Sequence, residues 1–547
     1  MKRVASADMP PEEFRAIGHS LVDAIADFYA HLPTASTASP LLPDEIRKRL
    51  GRRELPEDGT DIEPMIEKFR KIFFEHSTHN GSPRFWGYIT SSGAPVGALA
   101  DLLAAAVNPN CGAWALSPIA TEIENQCIRW LAQFMGLAGK WDGIVVSGGN
   151  MANIVAFVVA RKAKATWDIR TKGLTAPESK RLVLYGSGEM HTWINKAADI
   201  CGLGTEAVRW IPTDDEHRLR PDALRTQIEA DRAAGLFPFM VCGTAGSVGT
   251  GAIDPLPEIA RICKEFDLWF HVDGAYGAPA VALDDASADL KGLRLADSIA
   301  IDPHKWLYAP LEAGCTLVRR RNDLRDAFAF KPPYYQFDDN EGQEVKNYFE
   351  YGPQNSRGFR ALKIWLGFQQ AGASGFRQMI ADDIELAHRL HEFVGEQELL
   401  EIAELSVRDL AGGAVHHHEP ALSASRGWRL RDAVDWDVEV VVGGAGAVFG
   451  HERLSRNTQP GGWQSSESRW SDPLVQLDTD LDDQFRQQLN IGQCSPEIHD
   501  ARTQHESIFD VCVRDKSATT ESQRGGDPRI QLIQIIGDCC ITDRARS

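Results

Sequence analysis

Residues 143–153 read GIVVSGGNMAN: a short apolar run, a Gly-Gly turn and the start of a helical pattern. An uninterrupted apolar run of this length suits a strand covered on both faces, and the glycines suit a tight strand-to-helix turn. The same order recurs outward along the chain. Short apolar runs stand at 181–185 (RLVLY), 239–242, 269–272, 298–301 and 315–318, with helical segments such as 256–266 between several of them. This alternation predicts an α/β architecture around a mainly parallel sheet covered on both faces. Ligands of such sheets bind beyond the carboxyl ends of the strands. The residues that directly follow each run are therefore the ones to read for chemistry.

Asp302-Pro303-His304-Lys305-Trp306 follows the run 298–301. A lysine at a strand end beside a histidine can be held partly desolvated, which lowers an ammonium pKa and frees an amine able to form an imine with a carbonyl. A solvated surface lysine is the plainer alternative for any single lysine; the flanking pattern weighs against it. His271-Val272-Asp273-Gly274-Ala275-Tyr276 follows the run 269–272. There a carboxylate followed by small residues can approach a flat heterocycle and keep a pyridine nitrogen protonated, or cap the next turn. In Ser147-Gly148-Gly149-Asn150, glycine backbone and a helix N-terminus suit a phosphate, although an ordinary tight turn reads the same way. His191, after Tyr185-Gly186-Ser187-Gly188-Glu189-Met190, can stack on a ring or simply start a helix. An anion cradle, a stacking ring, a pyridinium partner and an imine-forming lysine together match pyridoxal 5′-phosphate (PLP).

The chain has 547 residues and carries 58 Lys and Arg against 77 Asp and Glu, a formal charge of −19. Its length allows two or three domains. Such an acidic balance argues against nucleic acid or an anionic membrane as the partner. No apolar run follows the basic residues Lys2 and Arg3, so no signal peptide is expected. No stretch approaches the roughly 18 apolar residues of a membrane span. The 10 cysteines show no C-x-x-C spacing, and Cys539 and Cys540 are adjacent. Reduced thiols in a cytoplasmic protein are the simplest account. The run His416–His418 in a polar segment is weak evidence for metal, and no metal site is expected.

SGGNMAN (147–153), EMH (189–191), HVDGAYGAPA (271–280) and SIAIDPHKWLYAPLEAG (298–314) resemble the motifs of the group II PLP-dependent amino-acid decarboxylases, the aromatic-L-amino-acid branch most closely. FWGYITSSGAP (85–95), WALSPIATEIE (114–124) and SRGFRALKIW (356–365) extend the resemblance, which runs from about residue 12 to about 400. It implies the type I fold of PLP-dependent transferases, aspartate-aminotransferase-like. A helical N-terminal arm would cover residues 1–90, a large PLP-binding domain 91–385, and an atypical C-terminal region 386–547. The arm, whose Phe14, Ile17, Leu21, Ile25 and Phe28 fall on one helical face, would lie across the partner of a homodimer. Lys305 would carry the cofactor, Asp273 would pair with its ring nitrogen with Ala275 beside it, and His191 would stack on the ring. Gly149 and Asn150 would hold the phosphate, with Asp302 and His304 close by, and Thr90 and Thr244 would stand near the cofactor. In DAFAFKPPYY (326–335), Tyr334 aligns with the tyrosine that returns a proton to the substrate carbon. The implied activity is decarboxylation of an L-amino acid, aromatic in character, to its amine and CO2. Aldehyde-forming decarboxylation–deamination and a non-catalytic PLP-fold protein acting through its dimer surface are the alternatives; Tyr334 favours simple decarboxylation.

Two departures stand out. Gly112-Ala113 precede Trp114 where animal aromatic decarboxylases carry a bulky aromatic, which implies an altered substrate pocket. After about residue 403 apolar periodicity is largely lost, with 438–442 and 530–536 as the remaining strand-like runs. A divergent replacement or a shifted reading frame near 403 would account for this.

Overall fold

All six apolar runs become strands, and a seventh joins them. In the computed structural model, which describes residues 7–395 apart from 40, 52–53, 86, 140, 334 and 336–342, together with 428–429, 437–443 and 446–452, the strands are β1 (Asp142–Val146), β2 (Leu182–Ser187), β3 (Val208–Ile211), β4 (Phe237–Thr244), β5 (Trp269–Asp273), β6 (Ser298–Ile301) and β7 (Gly314–Val318). They lie in the order β1-β7-β6-β5-β4-β2-β3. β7 runs antiparallel to β1 and β6, and the remaining pairs are parallel. The strands β1 to β6 therefore all end at one edge of the sheet. Register places Thr244 beside Asp273 and Asp273 beside Ala300. β3 escaped the sequence reading because its VRWI is only half buried and Trp210 is exposed, as suits an edge strand.

Helices cover the sheet. α1 (Pro11–His31), α2 (Pro43–Leu50) and α3 (Ile62–His76) form the N-terminal segment. Prolines at the first helical turn of α1 and α2 suit helix starts, since their missing N–H has no intrahelical role there. Of α1 only Ile17 is buried; Phe28 stacks on Phe74 at 4.7 Å between ring centroids, while Phe14 is 59% exposed. α4 (Gly149–Lys164) buries Val155, Phe157 and Val159 against the sheet. Phe157 meets Phe239 of β4 edge-on at 5.5 Å, and burying one such ring contributes about 1.5–3 kcal/mol. α5 (Trp193–Ile200) follows β2. The last long helix, α6 (Ala361–Gly395), breaks at Gly372, whose φ is +66°. Strands β8 (Trp428–Arg429), β9 (Asp437–Gly443) and β10 (Gly446–Glu452) form a separate three-stranded sheet. The run 530–536 lies outside the described residues. The chain divides into two units, 1–431 with 438–451 and 432–437 with 452–547, the second falling almost wholly outside the described residues. Among the described residues no helix is long and apolar enough to cross a membrane.

A buried ion pair fastens the helix Pro118–Phe134 to β1. Arg357 Nη2 lies 2.6 Å from Glu124 Oε1, both side chains being 1% exposed. The same guanidinium donates to the carbonyls of Val145 and Cys111, and Val145 N–H donates to Glu124 at 2.9 Å. Removing one partner strands a desolvated charge, which costs about 3–5 kcal/mol. Glu124→Ala is expected to lose stability in that range in urea unfolding; a midpoint shift worth less than about 1 kcal/mol would show that water reaches the site.

Candidate active site

The sheet edge at which six strands end collects most of the residues singled out from sequence. At the end of β1 the chain turns through Gly148, whose φ of +88° favours glycine. α4 then begins at Gly149. A Cβ at position 149 would stand 2.5 Å from Asp302 Oδ2, so only glycine lets the first turn of α4 approach this carboxylate. The turn carries Asn150 and presents the N–H groups that a helix start leaves without intrahelical partners.

Asp302 follows β6 and is 2% exposed. Its Oδ2 lies 3.3 Å from Lys305 Nζ and 3.7 Å from His304 Nε2. Burial raises the Asp302 pKa, and the Lys305 and His304 charges oppose that rise. Lys305, its side chain 18% exposed, thus has a buried carboxylate as its partner. His304 Nδ1 sits 2.7 Å from the Ala313 carbonyl, which fixes its ring. The loop after Lys305 is pinned from α6: Asp383 accepts from Trp306 Nε1 at 2.8 Å and from the Tyr308 hydroxyl. Tyr276 stacks on Trp306 at 4.9 Å, which joins this loop to the segment after Asp273.

Asp273 ends β5 and is buried. Its Oδ2 accepts from Trp193 Nε1 at 2.7 Å and its Oδ1 from the N–H of buried Ala275 at 3.2 Å. His191, two residues before the start of α5, has an exposed side chain, yet its packed surroundings lower its pKa through desolvation; the Asp273 charge opposes the fall. Thr244, at the end of β4, is fixed by Asp254, which accepts from the N–H of Thr244 and of Leu219, each at 2.7 Å. Burial pushes the Asp254 pKa up to about 6. Thr90 accepts from Asn80 at 3.2 Å, and its neighbour Ser91 donates to the His304 carbonyl, which joins this N-terminal segment to the site. Tyr334 lies outside the described residues.

The arrangement fits PLP. Thr244 Oγ1, Ser187 Oγ and Asp302 Oδ1 are buried without a hydrogen-bond partner among the described residues, all three at or just beyond the sheet edge where these strands end. Such orphaned polar atoms carry a cost of about 1–3 kcal/mol each unless a ligand meets them. Trp193, Asp254 and Ser187 were not found from sequence: each matters through a partner distant in the chain, and no local pattern marks them. Gly112 lies close against the backbone at Asn355. A Cβ there would stand 2.0 Å from the Asn355 carbonyl oxygen, so close backbone packing demands glycine at this point. Trp114, two residues on, is held by Asn347 and Glu122.

Known proteins extend this picture. Residues 43–412 match the model of the pyridoxal-dependent decarboxylase conserved domain. An aromatic-L-amino-acid decarboxylase of Bacillus atrophaeus is 36% identical over 391 residues, which are 72% of this chain and 79% of that protein. A phenylacetaldehyde synthase of Petunia hybrida is 31% identical over 72% of this chain and 78% of its own length. Among solved structures, Oryza sativa TDC with PLP and tryptamine superposes with a TM-score of 0.66 at 28% identity, covering 71% of this chain and 80% of that one.

Proposed function

The chain belongs to the pyridoxal-dependent decarboxylase family, and on that premise we propose that it converts an aromatic L-amino acid to the corresponding amine and CO2. It is a PLP-dependent carboxy-lyase of the type I α/β fold. The observation that carries the reading is the gathering of Gly149, Asp273 and Lys305 at the ends of β1, β5 and β6, beside buried polar atoms that await a ligand.

Lys305 is the residue to hold the cofactor covalently, Asp273 to meet its ring nitrogen and His191 to cover its face. Gly149 and Asn150 are the residues to hold its phosphate, with Thr244, Ala275, Asp302, His304 and Thr90 around it. When bound, PLP supplies a cationic ring that takes up the electron pair left as CO2 departs. The chain's own residues set the conditions. Trp193 and the Ala275 N–H fix both oxygens of Asp273, so its charge is aimed before substrate arrives. Asp302 orients the Lys305 amine. Tyr334 is the proposed donor of the proton that replaces the carboxylate at Cα.

The working form is proposed to be a homodimer in the cytoplasm. The buried free thiols among the described residues agree with a reducing compartment. Phe14, Leu55, Phe69 and Phe73 of the N-terminal segment and Leu102 and Leu103 of the helix Pro95–Val107 are more than half exposed in the single chain, an apolar display that a second copy would cover. The domain division 1–90, 91–385 and 386–547 is retained as part of this proposal.

The test is incubation of the PLP-loaded full chain with a panel of L-amino acids, with every product identified. Aromatic substrates are expected to yield amine and CO2 in equal amounts. Aldehyde and ammonia would favour the chemistry named for the Petunia relative, and turnover confined to acidic substrates would overturn the aromatic assignment.

A further inference from the structure

Four buried side chains form a single directed chain of hydrogen bonds beneath the site. Trp269 Nε1 donates to Ser298 Oγ at 2.8 Å. Ser298 Oγ lies 2.8 Å from His271 Nδ1, and His271 Nε2 lies 2.7 Å from Asn153 Oδ1. Asn153 Nδ2 donates to the Gly149 carbonyl at 3.0 Å. All four side chains are 2% exposed or less.

The ends of this chain fix every direction within it. Because the Asn153 amide nitrogen faces the Gly149 carbonyl, its oxygen faces His271, so Nε2 carries the proton. Burial lowers the His271 pKa to about 4, against the opposing pull of Asp273, so the ring is neutral and Nδ1 accepts. Ser298 then donates to Nδ1 and accepts from Trp269. The Ser298 carbonyl also approaches Nδ1, at the longer distance of 3.2 Å. The His271 ring further meets the Trp193 indole at 5.8 Å and 86°, and that indole donates to Asp273.

The topology gives this chain a purpose. Gly149 follows β1, Asp273 ends β5, and both β7 and β6 lie between those strands. The backbone route between the two groups therefore crosses three strand pairings. The side-chain route is short: His271 is two residues from Asp273, and Asn153 is one helical turn from Gly149. We propose that His271 and Asn153, with Ser298 behind them, are positioning residues that set the span between the Gly149 turn and the Asp273 carboxylate. That span is the one between the phosphate and the ring nitrogen of PLP, so the inference rests on the function proposed above. Neither residue touches the cofactor's reacting atoms; each acts through Gly149 or Trp193 and Asp273.

The span makes a specific demand on ligands. A two-ended ligand needs both groups at the correct separation, whereas a one-ended ligand needs only one of them. Asn153→Leu cuts the chain at similar side-chain volume, and Ser298→Ala cuts it further back without touching α4. The full-length parent and both variants are to be titrated with PLP, with inorganic phosphate and with pyridoxal, which lacks the phosphate. PLP affinity is expected to fall about 10–100-fold in Asn153→Leu, as when outer-shell hydrogen bonds of a bound group are lost, and less in Ser298→Ala, while phosphate and pyridoxal affinities stay near the parent's. If Asn153→Leu does not fold, the same selective loss in Ser298→Ala carries the test. Unchanged PLP affinity would overturn the inference, and so would parallel losses for PLP and inorganic phosphate, which mark a merely structural role. A parent chain that binds no PLP would instead overturn the proposed function.

Discussion

Lys305→Ala is expected to abolish turnover and the covalent attachment of PLP together. The substitution removes the one amine placed at the end of β6, 3.3 Å from Asp302. It also leaves Asp302 buried without its closest cation, so the pocket loses the charge balance that orients a ligand. A positioned proton-transfer group alone contributes up to about 10⁴-fold, and the covalent step adds to this. Activity should therefore fall by roughly 10⁴-fold or more. Borohydride reduction followed by peptide mass spectrometry should label position 305 in the parent and nothing in the variant. A parent label on any other lysine would dismantle the proposed site.

Asp273→Asn carries the next largest effect, because it keeps the shape of the side chain and removes its charge. The amide oxygen can still accept from Trp193, while the amide NH2 replaces the oxygen that accepted from the Ala275 N–H and loses that bond. The ring nitrogen of PLP then has no anion to hold its proton, and the electron sink weakens. Losing one preorganised electrostatic partner costs about 10²–10³-fold in kcat. PLP should still be trapped on Lys305, which separates this defect from failure to bind. A kcat within a few-fold of the parent would remove Asp273 from its proposed role.

The sheet was legible because strands buried on both faces read as near-continuous apolar runs, as 143–146, 269–272 and 298–301 do. Lys305, Asp273 and Gly149 were legible for a second reason: each directly follows such a run, where strand-end chemistry is expected. β3 was not, since its VRWI is buried only at its two ends and carries an arginine between them. The supporting residues were illegible for a physical reason. Asn153 looks like any polar residue of an amphipathic helix until β5 brings His271 to it from 118 positions away. Asp254 and Trp193 likewise take their meaning from partners that only folding supplies. The segment after about 403 had largely lost apolar periodicity, and most of it lies outside the described residues.

Asp383 gives the C-terminal side of the chain a stake in catalysis. It sits on α6 beyond the break at Gly372, yet its carboxylate tethers Trp306 and Tyr308, the residues just past the reactive amine. Any shortened version that stops before residue 383 would keep every group proposed to touch the cofactor and still release the leash on the lysine's own loop. The loop that carries the lysine is thus held from behind, by a helix that starts about 55 residues further along the chain.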